Sequence, residues 1–288
     1  MVQKNEIMKI LTEKSLLENN GLEFKAMKGG TTNGLLYTLF LENNPAYVVK
    51  IDRPSIISAT EDFLLAYQDI PLLPNVIYTA VNKEYIVYSY IAGETHFNRC
   101  SKLEWMAQIT EGLFNRYKKV DQEIPWGRII GTERISWAEF NRISLESAKE
   151  SIGDILPSED HRRVGMTVDS LKKYHDKEEK YYLHGDTGVH NFVYSANELK
   201  GVIDPSPLIG PKIYDFTYAF CSSPDGLDIS TLMNSFSLWK GSTSISRERL
   251  MHEVVFQLYT RIGVCNKVHP HDLNEYMEAW EMWREYLE

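Results

Sequence analysis

The sequence predicts an α+β chain in two lobes, a sheet-rich N-terminal lobe over residues 1–91 and a mainly helical C-terminal lobe over residues 92–288. Two observations predict it. Short runs rich in β-branched and aromatic residues, punctuated by Gly, Asn and Pro, fill the first third of the chain. After Ile91-Ala92-Gly93 such runs become rare and helical spacing takes over. A length of 288 residues is enough for two lobes with sizeable cores.

The elements follow in order. MVQKNEIMKILTEKSLLENNG is amphipathic, with Ile7, Ile10, Leu11 and Leu16 or Leu17 at helical spacing, and Lys9, Glu13 and Lys14 interrupt it too often for a signal peptide. GLEFKAM, LLYTLFLE and AYVVKI read as strands, separated by the turns KGGTTNG and NNP. SATEDFLLAYQDI is expected to be helical, with Ser58 or Thr60 as N-cap and Pro71 and Pro74 as stops. NVIYTAV and EYIVYSY add two strands. In the second lobe, 101–120, 158–180 and nearly everything after Tyr214 look helical. The exceptions are NFVYS and LKGVIDP, a hairpin about Ala196-Asn197.

Composition narrows the function. Hydrophobic content of 43% and charged content of 25% describe an ordinary soluble globular chain. A net charge of −9 argues against nucleic acid, whose backbone calls for Lys and Arg clusters. It can favour a cationic small molecule, although solubility alone accounts for many acidic chains. Residues 1–91 carry 8 basic and 10 acidic side chains and the remainder 23 and 30, so any such steering points to the C-terminal lobe. Cys100, Cys221 and Cys265 form no CxxC pair, which suits a reducing, cytoplasmic setting without zinc or disulfides. No apolar run approaches the roughly 18 residues of a membrane span.

Four features carry chemistry. A Gly-rich turn, with Gly29, Gly30 and Gly34, lies between the first two strands, where absent Cβ atoms let backbone N–H groups approach phosphates; an ordinary glycine hairpin reads the same way. Lys50 stands in the apolar strand YVVKI and needs either water at a sheet edge or a partner. Glu61 on the following helix is a candidate partner, and Asp62 is its alternative. Downstream, YYLHGDTGVHNFVY clamps Asp186 and Asn191 between two apolar runs, with the five-residue Asp-to-Asn spacing of the protein-kinase catalytic loop. Asp204 ends the strand of VIDP, where a hairpin can return it beside Asn191 as a Mg²⁺ ligand; taken alone, Asp-Pro is equally a turn.

In this order, HGDxxxxN followed by IDP resembles the aminoglycoside phosphotransferase family, small-molecule kinases of the bilobed protein-kinase-like fold. The resemblance runs from about residue 22 to 220, with a helical tail beyond. GGTTNG is similar to the family's nucleotide loop, YSYIAGE to its interlobe hinge, and GPKIYDFTYAF to the segment after its metal ligand.

The resemblance implies an enzyme that uses ATP or GTP with Mg²⁺. Asp186 would be the catalytic base or orient the acceptor hydroxyl, and Asn191 and Asp204 would hold Mg²⁺. Lys50, paired with Glu61, would grip the phosphates under Gly29, Gly30, Thr31, Thr32 and Asn33. Backbone groups of Ser89 and Ile91 would meet the nucleobase. Asp215 would brace the catalytic loop, and His184 would support it. TGV follows Asp186 where many relatives carry His and Pro.

The expected acceptor is a hydroxyl-bearing small molecule, bound in the helices after Asp215. An antibiotic-modifying enzyme, a metabolite kinase of the choline, homoserine or thiamine sort, and a nucleotide-binding protein without turnover all fit. The tail HDLNEYMEAWEMWREYLE mixes acids with Tyr276, Trp280, Trp283 and Tyr286. It reads either as a cation-binding surface or as an amphipathic helix docking its aromatics.

Overall fold

The computed structural model describes residues 7, 9, 12, 13, 23–27, 34–95, 97–175 and 178–288. Residues 28–33, and with them Gly29, Gly30, Thr31, Thr32 and Asn33, lie outside the described residues, as do Ile10, Leu11, Leu16 and Leu17.

Five antiparallel strands form the first sheet: β1 (Glu23–Ala26), β2 (Leu35–Leu41), β3 (Asn44–Ile51), β4 (Val76–Thr79) and β5 (Tyr85–Ser89), in spatial order β1-β2-β3-β5-β4. The β2–β3 turn falls on Glu42 and Asn43, both at positive φ, one residue earlier than NNP suggests. Period-two alternation gives the sheet two buried faces. Leu39, Val49, Tyr85 and Val87 pack with Ile7 on one. Val48, Ile86 and Tyr88 join the main core on the other. Lys50 shares the face of Val48, so it points at the main body of the protein.

Helix α1 (Pro54–Ala66) starts four residues before Ser58. Pro54 opens its first turn, where a missing N–H costs nothing, and no side chain caps it. Ile57, Phe63, Leu64 and Tyr67 join the core that also holds the C-terminal helices, so α1 bridges the first sheet to the rest.

The chain then crosses at residues 90–93. Gly93 has φ +147°, and a Cβ there would lie 2.4 Å from the Tyr194 carbonyl, so this crossing admits only glycine. The helices beyond are α2 (Lys102–Gly112), α3 (Trp137–Ile152), α4 (Ser158–His175), α5 (Ile213–Cys221), α6 (Ile229–Ser237), α7 (Arg247–Val268) and α8 (Leu273–Trp283). Helix α3 is an addition to the elements expected from the sequence, and its start is fixed by a cap: Ser136 accepts from the Glu139 N–H at 3.1 Å, and Glu139 accepts from the Ile135 N–H at 2.9 Å.

Two small sheets lie among these helices. One orders β7 (Gly127–Arg128), β11 (Leu208–Gly210) and β8 (Tyr181–Leu183); the other orders β10 (Glu198–Val202), β9 (Phe192–Ser195) and β6 (Glu94–Thr95). The β9–β10 hairpin turns at Ala196 and Asn197, both at positive φ, as expected. Residues 184–191 therefore run from the end of one sheet to the start of the other, and Leu183, Phe192 and Tyr194 bury the two ends. The three cysteines are free, and no described helix is long and apolar enough to cross a membrane.

The aromatics of α8 settle the reading of the tail. Tyr276, Trp280 and Trp283 are fully buried. Their polar atoms are used internally: Tyr276 donates to the Cys221 carbonyl at 3.1 Å, Trp280 to Asp160 at 2.8 Å and Trp283 to the Leu227 carbonyl at 2.8 Å. These three rings form core, not a cation cage.

Candidate active site

The loop 184–191 is tied down residue by residue. Gly185 has φ +77°, and a Cβ there would stand 2.1 Å from the Ser206 carbonyl oxygen, so only glycine closes this turn. Its N–H donates to both Asp215 oxygens at 3.2 Å. Asp215 is fully buried on α5 and also accepts from Tyr117 at 2.5 Å, while its own carbonyl accepts from Thr187 at 2.8 Å. Burial pushes the Asp215 carboxyl up to about 6, against the lowering effect of the Tyr117 and Gly185 hydrogen bonds. Asp215 braces the loop and faces no open space.

His184 is fully buried, and its ring lies edge-on to Phe63 of α1 at 5.6 Å. Its Nδ1 accepts from the Asp186 N–H at 3.3 Å. Burial brings its basicity down to about 4, so the ring is neutral and supports the loop. Arg128 adds a clamp from β7, donating to the carbonyls of Gly185 and Ser206, each at 3.1 Å, and to the Ser206 hydroxyl at 3.0 Å.

Asp186 stands at the centre, its side chain 27% exposed and so reachable by a ligand. Oδ1 accepts from the Tyr218 hydroxyl at 2.9 Å. Oδ2 accepts from Asn191 Nδ2 at 3.0 Å and lies 3.4 Å from His190 Nε2. Burial works to raise its pKa, but the His190 contact, nearby His184 and the Tyr218 hydrogen bond outweigh it and hold the carboxyl at about 2. Asp186 is therefore ionised at any ordinary pH.

Asn191 ends a 3-10 turn, Val189–Asn191, and is 5% exposed. Its amide nitrogen also donates to the Asp186 carbonyl at 2.9 Å. With the nitrogen so committed, the amide oxygen is the atom left for a hard cation. The Asn191 carbonyl accepts from the Ile203 N–H at 2.9 Å, which brings Asp204 alongside. Asp204 has φ +56°, a left-handed backbone uncommon for a non-glycine residue, and its carboxylate is 33% exposed. One amide oxygen and one partly exposed carboxylate, on backbone segments joined by the Ile203–Asn191 hydrogen bond, form a donor set that fits Mg²⁺, which takes few protein ligands and keeps its remaining positions for water and phosphate.

Lys50 meets this group from the opposite side. Its ammonium, 4% exposed as a residue, donates to Asp204 Oδ1 at 2.5 Å. The expected Lys50–Glu61 pair is absent: Glu61 pairs with Lys83, and Asp62 does not replace it on Lys50. The reason is tertiary. Lys50 points from the sheet toward the main body of the protein, where the hairpin has delivered Asp204, and a nearly buried ammonium takes the carboxylate in reach.

At the crossing, the Ser89 N–H donates to the Asn75 carbonyl and the Asn75 N–H donates to the Ser89 hydroxyl, both at 2.9 Å. Those two Ser89 groups are thus engaged within the protein. Ile91 packs on Gly201 of β10. Asp228 caps α6 through the Thr231 N–H at 2.9 Å, and Asp225 lies 3.4 Å from Arg99. Sequence reasoning missed Tyr117, Arg128 and Tyr218. Nothing local marks them, because each reaches the loop from a different element.

No family model and no curated protein matches the sequence. Solved structures match over almost its whole length. The ADP-bound aminoglycoside phosphotransferase APH(2'')-Ib is 16% identical, with 99% of each chain covered and a TM-score of 0.58. Choline kinase from Cryptosporidium parvum is 12% identical, covering 99% of this chain and 95% of its own, with a TM-score of 0.61. A thermostable mutant of APH(4)-Ia, complexed with AMP-PNP and hygromycin B, is 13% identical, covering 97% and 98%, with a TM-score of 0.62. A likeness at this level of identity speaks for architecture, and the architecture is plain: an N-terminal antiparallel sheet joined to a mainly helical body gives this chain the protein-kinase-like fold of the aminoglycoside phosphotransferases and of the choline and ethanolamine kinases.

Proposed function

We propose that the protein is a Mg²⁺-dependent phosphotransferase that moves the terminal phosphate of ATP or GTP to a hydroxyl of a small molecule. The observation that carries this reading is the convergence of Asp186 and Asn191 from one loop, Asp204 from the hairpin end and Lys50 from the first sheet into one linked group, with the Asp186 and Asp204 carboxylates partly exposed. The fold neighbours solved with ADP, AMP-PNP and GDP support a nucleotide as donor. In this reading residues 1–91 hold the nucleotide, with residues 29–33 over its phosphates and the 89–91 segment at its base, and residues 92–288 hold the acceptor.

Asp186 accepts a hydrogen bond from the acceptor hydroxyl and aims its oxygen in line with the γ-phosphorus. The new P–O bond forms as the bond to the β-phosphate oxygen breaks, nucleoside diphosphate leaves, and the hydroxyl proton passes to Asp186 and then to water. A carboxylate held at about 2 is a weak base, so its main work is orientation, with proton transfer late. Asn191 keeps Asp186 fixed through its amide nitrogen. Lys50 leaves Asp204 for the phosphates when nucleotide enters. Held by the Asn191 amide oxygen and the freed Asp204 carboxylate, Mg²⁺ would supply neutralisation of charge on the phosphate oxygens.

The test is the melting-temperature shift caused by Mg·ATP and Mg·GTP in wild type and in Asp204→Ala. A nucleotide at about 100 times its Kd adds roughly 2.7 kcal/mol. The reading expects a shift in wild type that collapses in the variant, and a wild type indifferent to both nucleotides overturns it. Turnover then separates an enzyme from a nucleotide-binding protein, since only an enzyme loses its function in Asp186→Asn.

A further inference from the structure

A cavity of about 450 Å³ opens between α3 and α7 and is bounded toward the catalytic loop by Arg128 and Tyr218, which hydrogen-bond to that loop. That volume suits a small-molecule ligand. Its wall includes Arg128, Arg134, Asn141, Gln257 and Tyr218, and no Asp or Glu among the described residues. Neither arginine makes an ion pair among the described residues: Arg128 donates to carbonyls and hydroxyls, and Arg134 donates to the Glu133 carbonyl at 3.3 Å. Asn141 is 3% exposed, and its amide nitrogen has no hydrogen-bond partner in the protein. The cavity thus offers donors and positive charge, and no carboxylate among the described residues lines it; Asp186 and Asp215 act on Arg128 from behind the wall, which leaves Arg134 as the arginine with the least opposing charge. It is also coupled to the chemistry, because Tyr218 lines it while donating to Asp186 Oδ1 at 2.9 Å.

A second cavity of about 330 Å³ is lined by Val189 and His190 of the loop. Its charges are mixed and partly matched: Arg99 faces Asp225 at 3.4 Å, and His271 faces Asp272 at 3.4 Å. The larger cavity has the stronger unmet demand.

We propose that the larger cavity is the acceptor pocket, and that the acceptor carries an oxyanion, a carboxylate or a phosphate, in addition to the hydroxyl that is phosphorylated. The inference rests on the kinase reading and narrows its substrate class. The oxyanion sits against Arg134 and the Arg128 edge, the planar donor geometry that arginine offers carboxylates and phosphates. Asn141 donates to it or to a neighbouring hydroxyl. The phosphorylated hydroxyl lies past Tyr218 at Asp186. A multiply cationic acceptor meets two arginines along the wall, and its nearest counter-charge is Asp186 beyond Tyr218.

The experiment uses the full chain with Mg·ATP or Mg·GTP. Glycerate and glycerol 3-phosphate serve as the carboxylate and phosphate probes, and choline and hygromycin B as cationic ones, each scored by calorimetric binding and by nucleoside diphosphate release. The expected result is binding of at least one oxyanion probe, with Arg134→Glu weakening it about tenfold or more while nucleotide binding stays unchanged. Arg134 is partly exposed and braces nothing in the loop, so this variant should fold, and Arg134→Lys should recover part of the affinity. Three outcomes overturn the proposal and leave the kinase reading standing: nucleotide binds but neither oxyanion probe does at roughly 10 mM; the cationic probes alone bind or are phosphorylated; or oxyanion binding ignores Arg134→Glu. Failure to bind either nucleotide overturns the kinase reading, and this inference with it.

Discussion

The two sides of the cleft are built on different principles. On the C-terminal side, residues 184–191 are held by Asp215, Tyr117, Arg128 and a glycine that no other residue can replace. Facing it, Lys50 of the first sheet holds Asp204, which stands beside Asn191, through one ion pair, and Asp204 keeps a third of its surface open. The difference separates positioning from exchange. Asp186 has to be in one place when a hydroxyl arrives, and over-determined contacts secure that. Lys50 and Asp204 have to part when phosphates and a cation arrive, and a single contact allows it.

The comparison fails if the rigid side tolerates change. Asp186→Asn should lower turnover by about 10²–10⁴-fold while the thermal shift with nucleotide stays near wild type. A small loss of turnover in steady-state assay would deny Asp186 its role.

Gly185→Ala tests the bracing itself. The added Cβ collides with the Ser206 carbonyl and the backbone stays at φ +77°, so the turn must open. A cost of roughly 2–3 kcal/mol lowers Tm by about 5–10 °C in a chain of this size, and turnover should fall with it. An unchanged Tm would mean that the loop can relax.

The Asp215 carboxyl gives a pH-dependent test. Its folded pKa, about 6, lies above the ordinary 3.8, so the folded state holds the proton more tightly than the unfolded one. Its contribution to stability is therefore fully present below about pH 3.8 and is lost as pH rises through 6. Asp215→Asn removes that loss. The Tm of the variant relative to wild type should rise by roughly 5 °C between pH 4.5 and pH 8, even as turnover suffers from the weakened hold on Gly185. A difference that does not vary with pH would show that burial does not strain this carboxylate.

The smallest effect belongs to Glu61→Gln. Glu61 is paired with Lys83, itself partly exposed, so the stability change should stay within about 1 kcal/mol and the KM for nucleotide should move little. A large rise in KM would show that Glu61 turns to Lys50 once nucleotide is bound, and the contrast between the two sides would need redrawing.

Much of this was legible beforehand. The strands β1 to β5, the β9–β10 hairpin and the order of Lys50, Asp186, Asn191 and Asp204 rest on patterns confined to a few neighbouring residues, which local sterics and alternation enforce. Helix α1 begins at Pro54, ahead of the Ser58 and Thr60 caps, because a proline in the first turn loses no hydrogen bond, and α3 carries no apolar stripe strong enough to mark it, only its Ser136 cap.

What the sequence determined alone is the identity of the polar groups and the elements that carry them: a lysine in an apolar strand, a carboxylate and an amide five residues apart between buried ends, and a carboxylate closing a hairpin. What the tertiary structure decided is who meets whom. Lys50 takes Asp204 across 154 positions of chain instead of Glu61, 11 residues away, and Tyr117, Arg128 and Tyr218 converge on one loop from three elements. Such pairings are set by which faces the core buries, because a group sealed from water binds whatever partner the packing brings within reach, and no local pattern records that distance.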